Sequence, residues 1–109
     1  MSKYWLCLFL AGLCEIGWPI GLKISQTTSK VALGIAIAVI SMAISGYMLW
    51  IAQKQIPIGT AYAVWTGIGA AGTFVVGVLV FGDASNFWRW VGVALIIGGV
   101  ATLKLAGNH

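Results

Sequence analysis

The chain has 109 residues, of which 61% are hydrophobic and 7% are charged, and its net charge is +4. A soluble domain carries roughly a quarter of its residues as Asp, Glu, Lys and Arg, so this composition excludes nucleic-acid-binding proteins, secreted disulfide scaffolds and most water-exposed enzymes. Since a helix needs about 20 apolar residues to cross a membrane, the length accommodates four such helices and no soluble module.

Four apolar runs follow one another along the chain, separated by short polar connections. We predict transmembrane helices at about residues 4–22, 31–52, 58–81 and 87–105. Pro57 lies where the third helix begins, since proline is tolerated in a first turn. The first run is not expected to be a cleaved signal peptide, because its core is long and contains Glu15. The predicted fold class is therefore an all-α membrane protein with one four-helix domain over residues 1–109.

The basic residues at the helix ends give no preferred orientation in the membrane. Each side of the predicted bundle carries three: Lys3, Lys54 and Lys104 on the N-terminal side, and Lys23, Lys30 and Arg89 on the other. The positive-inside rule therefore does not choose between the two topologies. Two explanations stay open: the chain inserts both ways and forms an antiparallel dimer, or its topology is fixed but hard to predict.

Glu15 is the only acidic residue within a predicted span and lies near the middle of the first helix. A carboxylate in hydrocarbon is costly, so such residues usually face a cavity or a partner and have a function. No Lys or Arg within the spans is placed to neutralise it, since Lys23 lies two turns away at the helix end. We therefore expect a proton or an external cation as its partner. The alternative is a protonated glutamic acid that is hydrogen-bonded between helices.

Aromatic and hydroxyl residues are predicted to surround this carboxylate. Trp18 shares a helical face with Glu15 at spacing i, i+3, and Tyr62 and Trp65 repeat that spacing on the third helix. Aromatic rings attract cations, and indole and phenol groups donate hydrogen bonds. The alternative is that these rings anchor helix ends at the membrane interface. Ser45, midway along the second helix, either bonds the carboxylate or an aromatic donor, or serves packing within the bundle.

Glycines in the third and fourth helices allow more than one function. Gly67, Gly69 and Gly72 weaken the third helix and expose its backbone, which suits either a hinge or a close-packed face. In the fourth helix, Gly92, Gly98 and Gly99 lie among apolar residues, which favours a helix–helix contact. One histidine, His109, at the end of the chain and no Cys/His cluster leave no recognisable catalytic set. We predict a protein that is not an enzyme and has no cofactor or metal.

The run Pro57-Ile-Gly-Thr-Ala-Tyr-Ala-Val-Trp-Thr-Gly-Ile-Gly69, with Glu15 in the first of four helices, resembles the small multidrug resistance family over essentially the whole chain. Within that family, Cys14-Glu15-Ile-Gly-Trp18 and Gly21-Leu-Lys23 resemble the guanidinium exporter branch. The resemblance implies an antiparallel dimer in the bacterial inner membrane, with one site between the protomers. It implies that protons drive export of guanidinium or small guanidinyl cations.

The resemblance also implies roles for individual residues. Glu15 corresponds to the carboxylate shared by proton and substrate, and the supporting positions correspond to Trp18, Ser45, Tyr62, Trp65 and the small residue Gly12. Gly67 and Gly69 correspond to the bend of the third helix, and the fourth helix to the dimer contact. The alternatives are a broad-specificity exporter of quaternary ammonium cations, one subunit of a heterodimeric pair, and a membrane protein that only assembles with others.

Two residues depart from the family's pattern. Pro19 stands where a helix former is usual, and it leaves the carbonyl of Glu15 without its helical N–H partner. Gly46 stands where a bulkier residue is common, which suggests a wider pocket or an opening towards lipid. Both departures leave room for a guanidinyl compound larger than guanidinium itself.

Overall fold

The computed structural model describes residues 2–106, so Met1 and residues 107–109, which include His109, lie outside the described residues. Four α-helices follow in chain order: α1 (Lys3–Thr27), α2 (Val31–Ala52), α3 (Ile58–Val80) and α4 (Phe87–Ala106). All four are long and apolar enough to cross a membrane, and residues 2–106 contain no strand. The predicted all-α fold with four transmembrane helices is confirmed.

The first helix ends later than the sequence suggested. We predicted its end at residue 22, but α1 continues through the polar residues to Thr27. No proline or glycine occurs in this extension, and its hydroxyls bond back to their own helix. Ser25 Oγ donates to the Leu22 carbonyl at 2.6 Å, and Thr27 Oγ1 donates to the Lys23 carbonyl at 2.8 Å. The other helix bounds lie within one residue of the predicted positions.

The helices are arranged around α1, which packs against α2 on one side and α3 on the other, while α4 packs against α3. The crossing of α1 and α2 brings two backbones together. A Cβ atom on Gly21 would lie 2.6 Å from the carbonyl oxygen of Gly34, and one on Gly34 would lie 2.5 Å from the amide nitrogen of Ser25. Only glycine fits both positions, because backbone atoms cannot move aside as a flexible side chain does.

The apolar core lies at the end of the bundle that holds the start of α1 and the α2–α3 connection. Its buried members are Trp5, Leu8, Ala52, Ile56, Ala61 and Val64. The Nζ atom of Lys104, near the end of α4, lies 4.9 Å from the centre of the Trp5 ring, which joins α4 to this core by a cation–π contact. The core holds α1 against α3, and this packing determines which residues of the two helices face one another midway along their length.

The outer surface of the bundle is apolar, as a membrane environment requires. The helix α4 contributes most clearly, because Val93 is its only buried residue within Phe87–Ala106. Leu95 is 71% exposed and Leu105 is 84% exposed. Such side chains are stable only against lipid or against another apolar chain. The predicted dimer contact through α4 is compatible with this surface and stays a prediction.

Candidate cation-binding site

Glu15 lies on α1 at a cavity of about 390 Å³ between α1 and α3. The residues that line it are Glu15, Trp18, Pro19, Tyr62, Trp65, Thr66, Gly69, Ala70 and Thr73. Within the described part of the chain, this lining has one carboxylate and no basic side chain. The Oε2 atom of Glu15 is buried and has no hydrogen-bond partner among residues 2–106. A buried polar atom without a partner is costly, so the geometry favours a proton or a cation at this oxygen.

Three aromatic rings stand beside the carboxylate. Trp18 reaches the cavity from α1, one turn after Glu15, while Tyr62 and Trp65 reach it from α3. The rings of Tyr62 and Trp65 lie 5.6 Å apart and are tilted by 52°. The structure thus brings the three predicted aromatic residues together with Glu15. The faces of such rings attract a flat, delocalised cation.

A hydrogen-bond chain through Ser45 joins the three helices around the cavity. The indole Nε1–H of Trp65 donates to Ser45 Oγ at 2.7 Å, and the Ser45 hydroxyl donates to the Ala11 carbonyl at 2.7 Å. Ser45 is fully buried. Of the alternatives predicted for this residue, the structure shows a hydrogen bond with an aromatic donor and another with a neighbouring helix. No hydrogen bond from Ser45 to Glu15 occurs within residues 2–106. Through these two hydrogen bonds, Ser45 of α2 holds the Trp65 ring in place.

The three glycines predicted for the site have different neighbours. A Cβ atom on Gly69 would lie 2.7 Å from Cγ of Glu15, so the stem of the carboxylate packs directly on this glycine. A Cβ on Gly12 would lie 2.7 Å from Cβ of Ile68, which places Gly12 in the close contact of α1 and α3 beside the cavity. A Cβ on Gly67 would approach Val100 of α4 at 2.6 Å.

The surroundings of Gly67 and Gly69 are relevant to the hinge predicted at these two residues. Gly69 belongs to the carboxylate site and Gly67 to the α3–α4 contact, and α3 runs as one helix through both. The hinge stays a prediction, and each glycine also has a packing requirement of its own.

The two departures from the family pattern lie in different places. Pro19 lines the Glu15 cavity, and α1 continues through it to Thr27. Gly46 lies on an exposed face of α2, and a Cβ atom there would meet no atom within 4 Å. Gly46 therefore does not widen the cavity of the single chain, and its open face is directed away from the bundle.

Two hydroxyl residues of α3 that were not predicted from the sequence, Thr66 and Thr73, also line the cavity. A helical spacing would have indicated them, because Thr66 follows Tyr62 by four residues and Thr73 follows Gly69 by four. A larger groove of about 580 Å³ lies between α1, α3 and α4, but its lining is apolar except for Lys104. Its lining residues, all within positions 9–105, include no Asp or Glu, whereas the cavity at Glu15 has a carboxylate that can bind a cation.

Comparison with known proteins gives a consistent result. The family described as Small Multidrug Resistance protein matches residues 3–96. A guanidinium exporter of Proteus vulgaris is 46% identical over 102 residues, which cover 94% of this chain and 97% of the relative. Guanidinium exporters of Escherichia coli strain K12 and Salmonella typhimurium strain LT2 are 42% and 40% identical, each over at least 94% of this chain and 96% of the relative. These relatives are named as transporters and not as enzymes.

Proposed function

Because the chain belongs to the small multidrug resistance family, we propose that it exports guanidinium or small guanidinyl cations across the bacterial inner membrane in exchange for protons. It is a multi-pass protein of that membrane. The observation that carries the proposal is the buried Oε2 of Glu15, which has no hydrogen-bond partner among residues 2–106 and lies in a cavity walled by three aromatic side chains. The guanidinium exporters with 40–46% identity supply the substrate class.

The chemistry of the substrate fits this site. Guanidinium is planar, permanently charged and able to donate two parallel hydrogen bonds to one carboxylate. The Glu15 carboxylate supplies that acceptor, and the flat cation stacks between Trp18, Tyr62 and Trp65. A protonated Glu15 no longer attracts the cation, so proton and cation exclude one another at the same group. Inward movement of protons then drives outward movement of the cation.

We further propose that two chains associate in antiparallel orientation and that each contributes a Glu15 to one shared site. Two carboxylates in one site titrate as a pair, because the charge of the first opposes ionisation of the second. The exposed apolar face of α4 supports such an association. Gly67 and Gly69 are proposed as the region of α3 that adjusts when the site opens to either side.

Transport by the purified protein in liposomes tests the proposal. Guanidinium, a larger guanidinyl cation and a quaternary ammonium are each supplied against a proton gradient. We expect guanidinium and small guanidinyl cations to be exchanged for protons, and Glu15→Gln to abolish the exchange while folding and dimerisation remain intact.

Two results of this assay would contradict the proposal. Transport of the quaternary ammonium at least as fast as that of guanidinium would identify a broad multidrug exporter. Retained proton-coupled exchange in Glu15→Gln would remove Glu15 from the mechanism.

A further inference from the structure

A second cavity adjoins that of Glu15. It has a volume of about 190 Å³ and is lined by Pro19, Ile20, Lys23, Thr73, Gly77, Phe81 and Asp83. Pro19 and Thr73 line both cavities, so the two are neighbours along α1 and α3. Lys23 lies towards the end of α1, Asp83 follows the end of α3, and both are exposed. The second cavity therefore lies between Glu15 and one membrane surface.

The carboxylate of Asp83 is held at this cavity by the local backbone. Gly82, just after α3, has a φ of +70°, a left-handed conformation that favours glycine. The turn lets the Asp83 N–H donate to the Gly77 carbonyl at 3.0 Å, and the Phe81 N–H donates to the same oxygen at 3.1 Å. The Asp83 carboxylate occupies the space where Gly77 lacks a side chain, so any Cβ there would collide with it.

The chain has only two acidic residues, Glu15 and Asp83, and they line two adjoining cavities. We propose that the second cavity is a vestibule through which the cation passes between the membrane surface and Glu15, with Asp83 as its transient binding group. This inference rests on the proposed function. Lys23, on the same cavity, opposes the charge of Asp83 and prevents the cation from binding there too tightly. Charged groups along a path to a site raise the rate of encounter with a ligand of opposite sign.

Kinetics of guanidinium exchange in liposomes test this role. We expect Asp83→Asn to raise KM about tenfold at low salt, the lower end of what electrostatic steering supplies. The turnover number and the equilibrium affinity for guanidinium at Glu15 should stay unchanged. The defect should shrink at high salt, because salt screens interactions between exposed charges. Gly77→Ala, which displaces the carboxylate but keeps its charge, should raise KM in the same direction.

Lys23 provides an independent test with a matched control. Lys23→Gln should lower KM, because it removes the charge that opposes Asp83. Lys30→Gln removes the same charge from the same side of the membrane, but Lys30 does not line the cavity, so its KM should equal that of the wild type. If Asp83→Asn does not fold, the comparison of Lys23→Gln with Lys30→Gln still tests whether the second cavity is a vestibule.

The outcomes separate the vestibule from the function on which it rests. Equal KM values for the wild type, Asp83→Asn and Lys23→Gln, with Glu15→Gln inactive, would overturn the vestibule and leave the exporter intact. A defect of Asp83→Asn that is the same at low and high salt would overturn it as well. A wild type that does not exchange guanidinium would instead refute the proposed function.

Discussion

The hydroxyl of Ser45 is a small group that links three helices. It accepts from Trp65 of α3 and donates to the Ala11 carbonyl of α1. The sequence placed Ser45 in the middle of a span but did not decide its partner, because a serine in a helix often bonds its own i−4 carbonyl. The hydrogen-bond partner of Ser45 depends on how three separate helices pack against one another. Residue spacing along a single helix does not show that packing.

Replacing Ser45 by alanine should loosen the aromatic wall of the site. The change leaves the partly buried indole N–H of Trp65 without its acceptor, and we expect the free energy of guanidinium binding to become less favourable by about 1 kcal/mol, the typical net contribution of one hydrogen bond. Guanidinium affinity should weaken about fivefold, which is the equivalent of that free energy. Calorimetric titration of the purified protein measures it.

Ser25→Ala is the matched control, because the Ser25 hydroxyl donates only to Leu22 in its own helix. It should leave affinity unchanged. The variant Trp65→Phe should weaken binding by itself, and adding Ser45→Ala to it should cost little more if the two residues act through one bond. Fully additive losses would show that Ser45 and Trp65 act independently, against this interpretation.

Other residues of the site differ in how clearly the sequence indicated them. Glu15 was evident because a lone carboxylate in an apolar span is costly and so requires a reason. Thr66 and Thr73 were missed because threonine is compatible with any face of a transmembrane helix. Gly12 was expected at the site and Gly67 at the bend of α3, and both stay predictions; their nearest side-chain neighbours are Ile68 and Val100. A small residue in a helix indicates that another group packs closely against it, but the sequence does not identify that group as a helix, a side chain or a substrate.

At the scale of the helices, apolar runs predicted the spans well but not the end of α1. The membrane requires a minimum apolar length, so three helices have ends within one residue of the prediction. Residues 23–27 are polar but have no helix breaker, and α1 continues through them to Thr27. This extension carries Ser25 to its contact with Gly34. Hydrophobicity marks where a helix leaves the membrane, but the helix can continue beyond that point when no breaker follows.

The α1–α2 crossing should be the position of the bundle that tolerates a methyl group least. Gly34→Ala places a Cβ 2.5 Å from the Ser25 amide nitrogen and 2.6 Å from the Gly21 carbonyl oxygen. Because both are backbone atoms, the helices must separate. We expect destabilisation of about 1–3 kcal/mol, as for overpacking in a core. Thermal unfolding in detergent measures it as a lower Tm.

Gly46→Ala is the control on the same helix, since a Cβ at Gly46 meets nothing within 4 Å. There alanine should leave Tm unchanged or raise it, because alanine favours a helix over glycine by about 1 kcal/mol. Similar Tm values for the two variants would mean that α1 and α2 are not in close contact at Gly34.

The two membrane sides of the bundle carry equal numbers of basic residues, but those residues have different surroundings. The three on the N-terminal side lie over aromatic rings: Lys3 over Tyr4, Lys54 over Trp50 and Lys104 over Trp5. A cation–π contact holds a side chain in place but does not remove its charge. The count of three on each side therefore still predicts no preferred orientation in the membrane.

This balance predicts that the chain inserts in both orientations. Reporters fused to the C-terminus should show activity on both sides of the inner membrane, since no excess of Lys and Arg fixes one topology. Gln53→Lys with Gln55→Lys adds two charges to the N-terminal side, and Gln26→Lys with Ser29→Lys adds two to the opposite side. All four positions are exposed. The two double variants should each insert in one orientation, opposite to one another.

Transport then tests whether function requires both orientations. If the site forms between antiparallel chains, either double variant alone should lose guanidinium resistance in cells, and expressing the two together should restore it. Each variant has the complete set of site residues, so loss of activity alone and recovery together can come only from the relative orientation of the chains. A double variant that confers full resistance alone, with its reporter on one side only, would contradict the antiparallel dimer. A wild-type reporter on one side only would instead indicate a second chain of opposite topology as the natural partner.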